Sequence, residues 1–76
     1  LRGDAQQALP HLEKAMAMMP DPEIAAHLGE VYWFLGSRDD AMKAWQRGLG
    51  QVPKHKNILE TMRRLKVEQQ NEEVGQ

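Results

Sequence analysis

The sequence contains no cysteine. Disulfides, thiol nucleophiles and thiolate metal sites are therefore excluded at once. Aromatic residues are scarce: two tryptophans, one tyrosine and one phenylalanine. Ser37 is the only serine, so no Ser/His/Asp set of plausible spacing exists. No apolar run approaches the roughly 18 residues that a membrane span requires. The N-terminus lacks the basic-then-apolar order of a signal segment. β-branched residues are scattered and period-2 alternation is missing, so no segment reads as a strand. Glycine and proline, six and four in number, are too few for a low-complexity or collagen-like chain.

What remains is a globular composition, 41% hydrophobic and 28% charged over 76 residues. That is one small domain, near the lower limit for a self-sufficient core. The chain opens on Leu1 without a Met and reads as a piece of a longer protein. Net charge is −1, which gives no bulk attraction to nucleic acid. The charge is unevenly spread. From Asp4 to Asp40 there are seven acidic residues against two basic; from Lys54 to Lys66 there are five basic against Glu60 alone. Two solvated faces of opposite sign account for this, and a basic end that holds an acidic partner or a neighbouring module is the alternative.

Apolar residues set the helices. Ala5, Ala8, Leu9, Leu12, Ala15, Met16 and Met19 keep the i, i+3, i+4, i+7 rhythm of a one-sided helix over Asp4 to Met19. Asp4 is placed to cap it with Gln7, and Pro10 should kink it or loosen its first turn. Pro20 breaks the chain, Asp21 caps a second helix, and Pro22 opens it. That helix runs to Leu35 and stops at Gly36. Ser37, with Asp40, caps a third, whose apolar face is Ala41, Ala44, Trp45, Leu49 and Val52, closed by Pro53. A fourth spans about Asn57 to Gln70 on Ile58, Leu59, Met62, Leu65 and Val67, and the NEEVGQ tail should fray. Turns this short make neighbouring helices antiparallel.

A repeat underlies the pattern. Gly3, Ala8, Leu12, Ala15 and Pro20 recur 33 residues later as Gly36, Ala41, Trp45, Gly48 and Pro53, a period typical of helical repeats. Together with Ala25, Leu28-Gly29 and Tyr32, these residues resemble the tetratricopeptide repeat family, whose pattern is an apolar residue, Leu-Gly, Tyr, Gly, Ala, an aromatic, a small residue and Pro. The resemblance implies an all-α fold: antiparallel helix pairs of a right-handed solenoid, about one and a half repeats plus a C-terminal capping helix. It divides a single domain, 1–76, into a second helix of a partial repeat (1–20), one full repeat (22–55), a capping helix (56–70) and a frayed tail (71–76). The fourth segment departs from the pattern by placing Arg63 where the small glycine belongs. Ala25 stands where the family has a bulky aromatic, leaving room for Met or Leu side chains to fill. Gly29 costs its helix about 1 kcal/mol relative to alanine. It is expected to face Ala41 and Gly48, where two helices approach closely.

Site chemistry is otherwise sparse. His11, His27 and His55 fall at no ligand spacing and read as structural or surface residues, so no metal or cofactor is expected. Asp39-Asp40 and Glu72-Glu73 are a helix start and a solvated tail, not a general acid and base. There is no glycine-rich phosphate loop. The sequence therefore points away from an enzyme. The methionines read as adaptable core filler, with Met18 off the apolar face.

In the resembled family, the first helices of successive repeats line a concave groove that contacts an extended peptide or a partner helix. The implied groove is Glu23, His27, Glu30, Trp33 and Phe34, continued by Asn57, Glu60 and Arg64. Trp33 or Phe34 could instead pack against the terminal helix. The Lys, Asn and Arg clamp by which some members hold the acidic tails of heat-shock chaperones is missing, because Ala26 and Glu30 occupy its positions. A nucleic-acid-binding repeat would need a basic groove, which Glu23 and Glu30 oppose. The resemblance thus implies a scaffold for a protein or peptide partner, or else a purely structural cap on a longer solenoid. The exposed first helix could also pair two copies. The Leu-Gly-Glu-Val-Tyr-Trp stretch is further similar to large proteobacterial repeat proteins, some of them outer-membrane lipoproteins that serve periplasmic proteases. A cytoplasmic setting fits the residues equally.

Overall fold

The computed structural model describes residues 2–67. Four helices follow one another: α1 (Arg2–Met18), α2 (Pro22–Phe34), α3 (Arg38–Gln51) and α4 (Lys56–Arg64). No strand occurs among the described residues. The fold is all-α, as the periodicity predicts.

The helix ends show which punctuation works. Asp21 is extended (φ −109°, ψ 134°), and its Oδ1 accepts the Glu23 N–H at 2.7 Å while Pro22 opens α2. The end of α2 is closed by two bonds: Gly36 N–H to the Trp33 carbonyl and Ser37 N–H to the Tyr32 carbonyl, with Gly36 at φ +87°. This paired closure needs a left-handed residue, which glycine supplies without strain. The same closure recurs at the end of α4. Lys66 and Val67 donate to Arg63 and Met62, with Lys66 itself at φ 59°.

Four expectations about the ends and the core need correction. α1 begins at Arg2, so Asp4 lies inside its first turn rather than at its cap, where its charge still suits the positive end of the helix. Ser37 occupies the cap position of α3 but makes no side-chain cap bond; its N–H is committed to closing α2, and its ψ of 71° falls short of the extended value at Asp21. The capping helix expected over 56–70 stops at Arg64, because Lys66 turns left-handed; residues 68–70 and the tail 71–76 lie outside the described residues. Met19, expected on the apolar face, is 67% exposed beside the exposed Met18, because α1 ends there and the chain turns toward Pro20.

The core comprises Met16, Ala25, Ala26, Leu28, Ala41, Ala44, Trp45, Ile58 and Met62. Trp45 is its centre, fully buried, with its Nε1–H donating to the Ala26 carbonyl at 3.3 Å. Gly29 faces this indole, not Ala41 and Gly48: a Cβ built there would collide with Trp45 Nε1, Cε2 and Cδ1. Gly48 lies instead against Ala25 and Ile58, its notional Cβ only 2.9 Å from that of Ala25. Gly48 and Ile58 thus approach the room left by Ala25. α2 touches all three other helices, and α1 touches α2 alone among the described elements.

Candidate partner-binding channel

α2 and α4 run side by side, and equivalent positions of the repeat meet across them. Asn57 Nδ2 donates to both Glu23 carboxylate oxygens, at 2.6 and 2.7 Å. Arg64 Nη2 donates to Glu30 Oε2 at 3.2 Å. Both pairs are 34 residues apart in sequence. His55 completes the first of them. Its Nδ1 accepts the Ile58 N–H at 3.3 Å and so caps α4, which leaves Nε2, 3.4 Å from Glu23 Oε2, to carry the proton. Between the two pairs lies a depression floored by the buried Ala26 and Thr61 and walled by His27 and Glu60.

Of the seven residues expected to share a groove, Glu23, His27, Glu30, Asn57 and Arg64 line this channel. Trp33 and Phe34 do not. Trp33 turns toward α3: its ring centroid is 5.8 Å from that of Trp45 at a tilt of 39°, and the Arg38 guanidinium lies 4.2 Å above its face. It borders a separate hollow with Met42, Leu65 and Val67. Phe34, 53% exposed, lines an apolar cleft between α1 and α2 with Ala8, Leu12 and Val31. The three consecutive aromatics therefore point three ways, about 100° apart in succession, as a helix requires.

Tyr32 takes the third direction, toward α1, where its hydroxyl donates to Glu13 Oε2 at 2.5 Å. Burial, and then the Glu13 carboxylate, push its pKa up to about 12. The folded pKa lies above the unfolded value of 10.0. The contribution is therefore whole below about pH 10 and is lost as pH rises through about 12. Thermal melts should show an alkaline loss of stability in that window, and Tyr32→Phe should remove much of it. An unchanged alkaline slope in the variant would mean that another group is responsible.

Sequence reasoning missed four contacts: the His55 cap, Glu13 on Tyr32, Arg38 on Trp33, and Gln51 Nε2 donating to the Pro20 carbonyl at 2.9 Å. Only the first had a readable signal, since His55 stands immediately before a helix start and three residues before Ile58.

The described residues contain no group of three acidic or histidine side chains arranged to hold a metal. None of their helices is long and apolar enough to cross a membrane. No curated protein and no solved structure gives a significant match to the chain. The family profile described as tetratricopeptide repeat matches residues 1–65. That span takes in all four helices, both members of the 33-residue repeat and the channel between α2 and α4. The chain belongs to the tetratricopeptide repeat family.

Proposed function

We propose that this chain is a protein-interaction scaffold whose α2/α4 channel receives an extended peptide or a helix from a partner protein. Repeats of this family generally mediate protein–protein interaction. The observation that carries the reading is the side-by-side placement of Glu23, His27 and Glu30 with Asn57 and Arg64 along one exposed depression. Arg64 keeps more than half of its side chain in solvent while one nitrogen holds Glu30, so its other donors are free for an incoming carbonyl or carboxylate. The scaffold performs no chemistry of its own. Nucleic acid is disfavoured by two carboxylates in the channel. The exposed α1 is a second contact surface, suited to another copy of the chain.

A structural-cap reading has its own support. Glu23 is already occupied by Asn57 and His55, and Glu30 by Arg64. Such pairs brace α4 on α2 and leave fewer groups for a ligand. The pairs are solvent-exposed, so each is worth about 0–1 kcal/mol to stability.

Panning a random peptide library against the immobilised chain separates the two. Peptides that bind the channel should lose about tenfold in affinity, close to 1.4 kcal/mol, on His27→Ala or Arg64→Ala. Peptides that bind both variants as tightly as the parent chain would refute the channel reading and leave the cap.

A further inference from the structure

The channel between α2 and α4 carries a charge that its own contacts do not cancel. Three carboxylates, Glu23, Glu30 and Glu60, line it against one guanidinium, that of Arg64. Arg64 matches Glu30. Glu23 is held by the Asn57 amide and by His55 Nε2. Neither donor is charged, because His55, with Nδ1 accepting the Ile58 N–H, is a neutral imidazole. These bonds orient the Glu23 carboxylate and leave its charge in place. Among the described residues Glu60 has only Lys56, at 4.0 Å, with both side chains more than half exposed, and a pair so placed holds little. Glu60 lies one turn along α4 from Asn57, which grips Glu23, so the two uncancelled carboxylates share one end of the channel. The other cations of the basic stretch, Lys54, Lys56, Arg63 and Lys66, do not line it.

The floor supplies a separate observation. Thr61 is only 8% exposed, yet its hydroxyl has no hydrogen-bond partner among the described residues. No fully buried side-chain oxygen or nitrogen is left unpartnered there, so the Thr61 oxygen keeps its access through the channel that it floors. A hydroxyl so placed costs free energy until a partner reaches it. The depression encloses about 300 Å³, at the lower end of the roughly 300–1,000 Å³ of ligand pockets. That is space for one long side chain and the main chain that carries it.

We propose that the occupant is an extended segment of a partner protein bearing lysine or arginine. Its cation takes the Glu23–Glu60 end. The adjoining main chain meets the Thr61 hydroxyl, which can donate or accept. A carbonyl further along takes a spare donor of Arg64. Charge is read at one end and main chain along the rest. The proposal rests on the channel reading and adds the chemistry of the partner.

Panning a random peptide library and sequencing the binders tests it. Binders weakened by His27→Ala occupy the channel, and lysine and arginine should be enriched among them over the unselected library. A labelled peptide alternating lysine and serine should bind about tenfold more tightly than its glutamine counterpart, with the glutamate version weaker still. The advantage should shrink as salt is raised. Glu60→Lys should weaken the lysine peptide about tenfold, because an exposed attraction becomes a repulsion of similar size. Thr61→Val should weaken it roughly two- to tenfold. The melting temperature of Thr61→Val should stay at or above that of the parent chain, because no internal hydrogen bond is lost; a merely structural Thr61 would lower it and leave binding alone. Channel binders with no excess of lysine or arginine overturn the proposal and leave the channel reading standing, as does a glutamate peptide held as tightly as the lysine one. A lysine peptide indifferent to Glu60→Lys, or to Thr61→Val, overturns it as well. A library that yields no binder sensitive to His27→Ala removes the channel reading itself, and the proposal with it.

Discussion

Gly29→Ala should lower the melting temperature by roughly 8–16 °C. The estimate begins with a gain, since alanine is about 1 kcal/mol better than glycine inside a helix. Against it stands the indole of Trp45, into which the new methyl group would intrude. Overpacking of this kind costs about 1–3 kcal/mol and sometimes more. Here the upper end applies, because the obstacle is a rigid ring with no solvent-exposed surface to yield. A shift of the ring would also strain its hydrogen bond to the Ala26 carbonyl. A net loss of about 2 kcal/mol displaces the melting point of a domain this size by roughly 8–16 °C. Urea melts of Gly29→Ala, Trp45→Phe and the double variant make the mechanism testable. The smaller ring should accept the methyl group, so the double variant should lose less than the two single losses combined, by 0.5 kcal/mol or more, about the least that separates coupled from independent sites. A Gly29→Ala protein as stable as the parent would show that the helices can separate at little cost.

Trp45→Ala should abolish stable folding at room temperature. Large-to-small changes at buried aromatics cost about 3–5 kcal/mol. A chain of this length has roughly 4–11 kcal/mol in total. Several supports fail together: Trp33 loses the ring it packs against, Gly29 faces a void, and the α2–α3 seam loses its one buried side-chain bond. Far-ultraviolet circular dichroism in a urea series would report this as a missing or strongly shifted native baseline. A cooperative transition with the parent midpoint would place the centre of the core elsewhere.

Much of the fold was legible because it is written in short-range signals. Asp21-Pro22, Gly36 and Pro53 punctuate the chain where the helices change, and the 33-residue offset pairs the helices before any contact is known. The errors share a cause. Periodicity assigns a residue to a face but does not say which neighbour that face meets. Gly29 does mark a close approach, yet its nearest partner is the ring of Trp45 rather than Ala41 and Gly48. Trp33 sits at the border between the channel face and the α3 face, and Arg38 and Trp45 hold it on the second. The end of α4 gave no warning, because a lysine takes the left-handed position that glycine marks elsewhere. Five channel residues were legible through the family resemblance, which assigns one face of α2 and α4 to a groove. That their charges satisfy one another was not readable, because it depends on the distance between α2 and α4.

The position of α2 has a consequence for how the molecule comes apart. All three other helices rest on it, and α1 has no contact with α3 or α4 among the described residues. α2 is thus the hub of the fold, and α1 senses the rest of the described helices only through it. Opening of α1 and opening of α4 are then separate events, coupled only through α2. Amide exchange in the two end helices should proceed with independent free energies, both below that of the α2–α3 pair. Damage at one end of the molecule stays there, and a defect in α2 is felt at both.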